Sequence, residues 1–158
     1  MASLTCVPIF ESGAGDGMLE AMLLGPDGSI VLSMRREDEL RHFVADGTPL
    51  PPIPAPPAPY EDRLLFAPDG RGWTWGETIA DGLAYLDGGA WVSVAPYEHP
   101  GDSKAYTMAV AEDGAVWLGT DIGALRRDPA TGQWTRLETK KKITSVIPTA
   151  EGNVWLLV

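Results

Sequence analysis

The residue types that most often carry chemistry are sparse and widely separated in this sequence. Its two histidines, His42 and His99, stand far apart with no third partner in view. The single cysteine, Cys6, excludes a cysteine metal cluster or an intrachain disulfide. The sequence also lacks a Gly-x-Ser-x-Gly elbow and a phosphate-binding loop. We therefore predict no catalytic residue, no metal site and no cofactor, and we favour a role without catalysis.

Acidic residues recur at four similar places and could be taken for a ring of carboxylates. Each stands directly before a glycine and close after an apolar run, which is typical of a tight hairpin turn. Turn propensity explains the acids better than ligand binding does. The four pairs are Asp27-Gly28, Asp69-Gly70, Asp113-Gly114 and Glu151-Gly152.

The four turns are about forty residues apart, a period typical of propeller blades. A tryptophan follows three of the turn glycines at the same offset, as Trp73, Trp117 and Trp155. We expect these rings to fill the gaps between neighbouring blades. The sequence predicts an all-β, β-propeller-type repeat with about four blade units, the first degenerate and the last incomplete. We expect one domain over 1–158, with blade units at about 18–60, 61–100, 103–140 and 143–158, and 3–10 as a closing strand.

The best repeat, 106–137, carries the pattern [Asp/Glu]-Gly-x-x-Trp-x-Gly-Thr followed by Asp-Pro-x-Thr-Gly-x-Trp, and 64–94 carries it more loosely. This pattern resembles the two-component-regulator propeller repeat of bacterial sensors, and more distantly the repeats of streptogramin lyases and NHL-type propellers. The resemblance implies the non-catalytic sensing part of a signalling protein. It leaves open a lyase, in which a metal and a histidine act on a cyclic ester, and a structural self-association scaffold.

Three and a half repeats leave sheets without neighbours at both ends. A compact four-blade ring, a homo-dimer and a piece of a longer propeller would each solve this, and we favour the last two. Between the first two repeats, proline recurs through 49–59. We expect an extended connector or a frayed outer edge there instead of a regular fourth strand.

The net charge of -10 argues against binding to nucleic acid and to anionic membranes. No apolar run is long enough for a membrane helix, and 1–6 lacks the basic and apolar pattern of an export signal. The resembled family is often extracytoplasmic, so the sequence leaves the compartment open.

In a propeller, the loops that join second to third strands share one edge with the loops that join successive blades. Function lies mostly on such loops, so we expect a small polar ligand or a protein to bind there. The predicted binding residues are Glu77, Asp81, Tyr97, His99, Thr120, Asp121 and Lys141.

Overall fold

The computed structural model describes residues 18–34, 37–57, 63–98, 103–139 and 141–158. Within these ranges the chain forms fourteen β-strands, one short 3₁₀ helix (Ile79–Asp81) and no α-helix. The predicted all-β class with about four blade units is confirmed. The chain divides into two compact units, Met1–Ala55 and Pro56–Val158. The predicted closing strand at 3–10 lies outside the described residues.

The strands are named in chain order. They are β1 (Leu19–Leu24), β2 (Ile30–Met34), β3 (Glu39–Phe43), β4 (Pro49–Pro54), β5 (Leu64–Phe66), β6 (Gly72–Trp75), β7 (Leu83–Asp87), β8 (Ala90–Val94), β9 (Ala105–Val110), β10 (Val116–Thr120), β11 (Gly123–Arg127), β12 (Trp134–Glu138), β13 (Ser145–Pro148) and β14 (Val154–Leu157).

The first unit contains one four-stranded antiparallel sheet in the order β1-β2-β3-β4. The turn between β1 and β2 closes as predicted. The Ser29 N–H donates to a carboxylate oxygen of Asp27 over 3.0 Å, and Gly28 has a φ of 82°. A positive φ is one that glycine adopts without a steric penalty, which explains the Asp-Gly pair at this turn.

The proline-rich stretch after β3 forms a real outer strand, so the expectation that no regular fourth strand forms is wrong. In β4, Pro54 lies opposite Glu39 and Pro49 opposite Phe43. Proline cannot donate to a ladder, but an edge strand needs hydrogen bonds on one side only. The prolines are therefore compatible with the last position in this sheet.

The second unit contains two four-stranded sheets and a two-stranded one, all antiparallel. Their strand orders are β5-β6-β7-β8, β9-β10-β11-β12 and β13-β14. Buried side chains of the first two sheets share one hydrophobic cluster, with Trp73 and Leu83 from the first and Met108, Val116 and Leu125 from the second. Because strand side chains alternate between faces, each middle strand contributes to packing on both sides of its sheet.

The second and third sheets of this unit meet in a separate cluster. Ala124, Ile143 and Val146 form its buried part, and Trp117 packs against it. A Cβ added to Gly119 would lie 2.9 Å from both Cγ2 and the carbonyl oxygen of Ile143. The two sheets approach so closely at this point that only glycine fits.

The tryptophan prediction is right for two of the three turns. Trp73 is 6% exposed inside its cluster and Trp117 is half-buried, but Trp155 is 70% exposed. The prediction that Trp155 fills a gap between blades is therefore wrong for the described structure. Within the second unit no described sheet covers that face of β14, so the ring in the same strand position is exposed.

Candidate functional site

One edge of the second unit, which we call the loop face, consists of the loops 76–82, 95–98, 103–104, 121–122 and 141–144. Backbone contacts hold these loops together. Thr78 and Lys104 form an isolated antiparallel β-bridge. The Ile79 N–H donates to the Ser103 carbonyl over 2.8 Å, and the Ala105 N–H donates to the Glu77 carbonyl over 2.9 Å. The loop face is thus anchored to two different sheets by main-chain hydrogen bonds.

Glu77 and Lys104 present opposite charges on this face. The Lys104 ammonium lies 3.2 Å from a carboxylate oxygen of Glu77, and both side chains are more than half exposed. Such an exposed pair adds little stability, because water screens it and both long side chains lose freedom. The pair is therefore available to exchange its internal contact for one with a ligand.

Lys142 occupies a second cationic position on the same face. Its ammonium lies 4.1 Å from the centroid of the Tyr106 ring, at the start of β9. A cation over an aromatic face is electrostatically favourable, and an exposed one remains accessible. Its neighbour Lys141 is exposed, and the Lys141 carbonyl accepts a hydrogen bond of 2.5 Å from the Thr139 hydroxyl.

Three of the predicted binding residues have partners within the fold. A carboxylate oxygen of Asp81 accepts hydrogen bonds of 2.8 Å from both the backbone N–H and the hydroxyl of Thr78, which caps the 3₁₀ helix. Thr120 is fully buried, and its hydroxyl donates to the Gly123 carbonyl over 2.7 Å. Tyr97 packs edge-on against Trp134 with 6.4 Å between ring centroids. These contacts position the loops.

Two further predicted binding residues, Asp121 and His99, remain to be placed. Asp121 is exposed, and its backbone N–H donates to the Lys104 carbonyl over 3.3 Å. His99 lies outside the described residues. The structure therefore brings Glu77 and Asp121 together with Lys104, a residue that sequence reasoning did not select.

Lys104 and Tyr106 were missed because no motif marks them. Both residues flank the first residue of β9, where an inner strand leaves the loop face. The start of an inner strand is therefore a further position at which the sequence indicates candidate binding residues. Lys142 belongs to the lysine run that included the predicted Lys141.

The turn acids Asp69 and Asp113 lie at the opposite edge of the second unit and act in the turns. Arg71 and Ala115 donate backbone hydrogen bonds of 3.0 and 2.9 Å to Asp69 and Asp113. Hydrogen bonds from Ser29 lower the pKa of Asp27 below its ordinary value. At the end of β11, hydrogen bonds from Thr131 do the same to the pKa of Asp128. These carboxylates stabilise turns, as the sequence indicated.

A small cleft lies at that edge between the hairpins β9–β10 and β13–β14. Its lining includes Asp113, Trp117, Arg126, Thr149 and Asn153, and its volume is about 130 Å³. Sites for organic ligands typically enclose about 300–1,000 Å³. The cleft is therefore too small to be the main site, although its aromatic and charged lining is polar enough for a fragment of a ligand.

In the described parts of the chain, no group of three or more His, Cys, Asp or Glu residues is arranged to hold a metal ion. None of the described segments is a helix long and apolar enough to cross a membrane.

Comparison with known proteins supports the fold. No protein-family model and no curated protein matches the chain, but solved structures do. Streptogramin B lyase is 15% identical with a TM-score of 0.65, over 94% of this chain and 50% of that one. The extracellular domain of BT4673 from B. thetaiotaomicron, described as a hybrid two component system, is 13% identical with a TM-score of 0.62, over 87% and 18%. YCF48 bound to D1 peptide is 15% identical with a TM-score of 0.66, over 89% and 47%.

The chain has the fold of a partial β-propeller. Both kinds of propeller that its repeat resembles are present among these structures. The chain spans at most half the length of each of the three. At such low identity the likeness establishes the fold and leaves the activity to be argued from the site.

Proposed function

We propose that this chain is a non-catalytic binding module of the β-propeller type, which holds a small polar ligand or a protein segment on its loop face. It would serve as part of the sensing portion of a bacterial signalling protein. The observation that carries the proposal is the exposed Glu77–Lys104 pair, fixed between two sheets by the β-bridge at Thr78. A rigid backbone that presents exposed charges of both signs is suited to polar recognition.

The types of ligand follow from the charges on this face. Lys104, Lys141 and Lys142 can bind a carboxylate or another anion. Glu77 and Asp121 can accept hydrogen bonds from amides and hydroxyls or form an ion pair with a cation. The exposed Tyr106 ring adds an apolar contact beside the Lys142 ammonium. A peptide offers all of these groups in one chain. One structure with the same fold, YCF48, is bound to a peptide.

The test is a thermal-shift screen of the chain against sugars, organic acids and peptides, followed by calorimetric titration of any hit. Lys104→Ala and Lys142→Ala are each expected to weaken binding about five- to tenfold, since each removes a charge-assisted contact. Glu77→Gln should change affinity while leaving stability within about 0.5 kcal/mol.

Arg71→Ala supplies a matched control. The Arg71 guanidinium also lies over an aromatic ring, 4.8 Å from the centroid of Tyr85, but near the opposite edge of the unit. A hit whose affinity falls with Arg71→Ala and not with the loop-face variants would contradict the proposed site. Turnover of a substrate by the purified chain would contradict the non-catalytic assignment.

The lyase alternative depends on a histidine at the loop face. Streptogramin B lyase shares the fold, and His99 is the residue of this sequence that would have to act there. If the chain eliminates a cyclic ester and His99→Ala abolishes that activity, the lyase alternative replaces the binding module. If His99→Ala leaves such an activity intact, the lyase assignment is wrong.

A further inference from the structure

We infer that Asp87 is a site of spontaneous isomerisation, at which the bond to the Gly88 nitrogen moves from the main-chain carboxyl carbon to the side-chain carboxyl carbon. The product is an isoaspartyl residue. The described parts of the chain contain six Asp-Gly pairs. Asp87-Gly88 is the pair among these six that lacks the hydrogen bonds of the other five. The inference is independent of the ligand proposed above.

Asp-Gly pairs isomerise without an enzyme, through a five-membered imide ring. The glycine nitrogen attacks Cγ of the neutral aspartic acid, a C–N bond forms, and the carboxyl hydroxyl leaves with the amide proton as water. Water then opens the ring. Cleavage of the Cγ–N bond restores aspartate, whereas cleavage of the bond between nitrogen and the main-chain carbonyl carbon leaves isoaspartate. No electron is transferred, and glycine favours the attack because it has no Cβ to hinder the approach.

In five of the pairs the glycine closes a turn with a main-chain hydrogen bond. Its N–H donates to the carbonyl three residues earlier, over 2.9–3.2 Å. That bond fixes the peptide plane and must open before the nitrogen can turn toward the side chain. The five pairs are Asp27-Gly28, Asp46-Gly47, Asp69-Gly70, Asp81-Gly82 and Asp113-Gly114.

The aspartate carboxylates of these five pairs are held as well. Four of them accept a hydrogen bond of 2.9–3.0 Å from the backbone N–H two residues later, as Asp69 does from Arg71. Asp81 instead accepts bonds of 2.8 Å from the backbone N–H and the hydroxyl of Thr78. Each carboxylate must leave its donor before Cγ can meet the glycine nitrogen.

Asp87 and Gly88 occupy a different place in their turn. They belong to a two-residue hairpin loop between β7 and β8, in which Asp87 pairs with Ala90. Gly88 and Gly89 have φ values of 55° and 87°, which are typical of a type I′ turn. The Asp-Gly pair begins this turn instead of closing it. In the described parts of the chain, neither the Gly88 N–H nor the Asp87 carboxylate has a hydrogen-bond partner.

The surroundings of this turn leave room for the ring. Asp87, Gly88 and Gly89 are all exposed. A Cβ added to either glycine would have no atom within 4 Å, whereas one added to Gly82 would lie 3.2 Å from the Val94 carbonyl oxygen. The water that opens the ring reaches the exposed turn directly.

Isomerisation changes the end of this hairpin. The main chain then runs through Cβ and Cγ of residue 87, which makes it one atom longer, and a free α-carboxylate replaces the side-chain carboxylate. The net charge and the mass stay the same. Because Leu86 pairs with Trp91 next to the turn, the extra atom disturbs the match between β7 and β8 at that point.

The test is peptide mapping of the full chain after several weeks at mildly acidic pH and physiological temperature. Electron-transfer dissociation identifies isoaspartate, because it breaks the Cα–Cβ bond that now lies in the main chain. Trypsin releases residues 72–104 as one peptide, which carries both Asp81-Gly82 and Asp87-Gly88. These two pairs are therefore compared in the same molecule. We expect isoaspartate to form at least about fivefold faster at Asp87 than at the other five described pairs, since a closed turn must first break its hydrogen bonds.

The matched control is the same full chain unfolded in guanidinium chloride. The turn hydrogen bonds are then absent and each of the six aspartates is still followed by glycine, so their rates should agree within about threefold. The inference is overturned if another described pair in the folded chain converts at a rate within about fivefold of that at Asp87. It is also overturned if the preference for Asp87 persists in the unfolded chain, because the sequence and not the turn would then cause it.

Discussion

The indole Nε1 of Trp134 donates a hydrogen bond of 3.2 Å to the backbone carbonyl of Ala95. Trp134 begins the outer strand of one sheet, whereas Ala95 directly follows the outer strand of the sheet before it. The tryptophan therefore joins two blades at their periphery, as the inner Trp73 joins them nearer the core. The repeat has a packing contact on both the inner and the outer side of this junction.

Replacing this indole should weaken the junction measurably. Trp134→Phe keeps an aromatic ring and removes the donor, and we expect a loss of about 1 kcal/mol in the free energy of unfolding. Urea denaturation measures the change. Trp155→Phe is the control and should cost less than about 0.5 kcal/mol, because that ring is exposed. Equal losses in the two variants would contradict the role given to Trp134.

Gly119 should not tolerate a side chain. A Cβ there would lie 2.6 Å from Cγ2 of Thr107 and 2.9 Å from the Ile143 carbonyl oxygen, which cannot move without shifting the neighbouring sheet. We expect Gly119→Ala to destabilise the protein by about 1–3 kcal/mol.

Gly72 offers a matched comparison because it is also buried in a second strand. The nearest atoms to a Cβ at Gly72 are 3.6–3.7 Å away, an ordinary contact distance. Gly72→Ala should therefore leave the melting temperature unchanged or raise it slightly. If both alanine variants melt at the wild-type temperature, the close approach of the two sheets at Ile143 is wrong.

Thr120 and Asp121 are neighbours with separable roles. Thr120→Val removes a buried hydroxyl that bonds the Gly123 carbonyl, and we expect a loss of about 1–2 kcal/mol in stability with no change in affinity for a screen hit. Asp121→Asn, at an exposed position, should change the affinity and leave stability within about 0.5 kcal/mol. Urea denaturation measures the stability of both variants, and calorimetric titration measures their affinity for the screen hit. The reverse pattern would place the binding contact on Thr120.

Stability should fall in acid partly through Asp128. Hydrogen bonds from Thr131 lower its pKa in the folded protein below the ordinary value of 3.8. A carboxylate with a lowered folded pKa stabilises the fold fully above the unfolded value, and that contribution disappears as the pH falls through the folded value. Asp128→Asn should therefore lower the denaturation midpoint at pH 7, and the difference from wild type should shrink below pH 3.8.

Asp121→Asn is the charge-matched control, since it removes one acid from an exposed loop. It should not reproduce the pH-dependent difference. A difference for Asp128→Asn that stays constant from neutral to acid pH would show that the hydrogen bonds to its carboxylate do not depend on the charge.

The hairpins of this fold could be predicted from the sequence because their cause is local. The Asp69-Gly70 turn needs only a side-chain acceptor and a residue that tolerates a positive φ, and Gly70 has a φ of 84°. The tryptophan after three of the four turns marks a strand, and its burial at Trp73 follows from the alternation of the faces.

Burial and contacts that depend on a neighbouring sheet could not be predicted from the local sequence. Trp155 has the same two flanking residues as Trp117, in the sequence Val-Trp-Leu, and the packing of a following sheet separates their exposure. The strand β4 was missed because its prolines disfavour an inner strand, whereas the outer position tolerates them. The Glu77–Lys104 pair joins residues from different blades, and no spacing in the sequence indicates that contact.

Hydroxyl-radical footprinting, read by mass spectrometry at each tryptophan, measures the exposure on which the blade arrangement depends. The repeated tryptophan position is buried wherever a following blade packs on it. In dilute protein we expect rapid oxidation of Trp155, slower oxidation of Trp117 and the strongest protection at Trp73. Oxidation of Trp73 as fast as that of Trp155 would contradict the blade arrangement described for this chain.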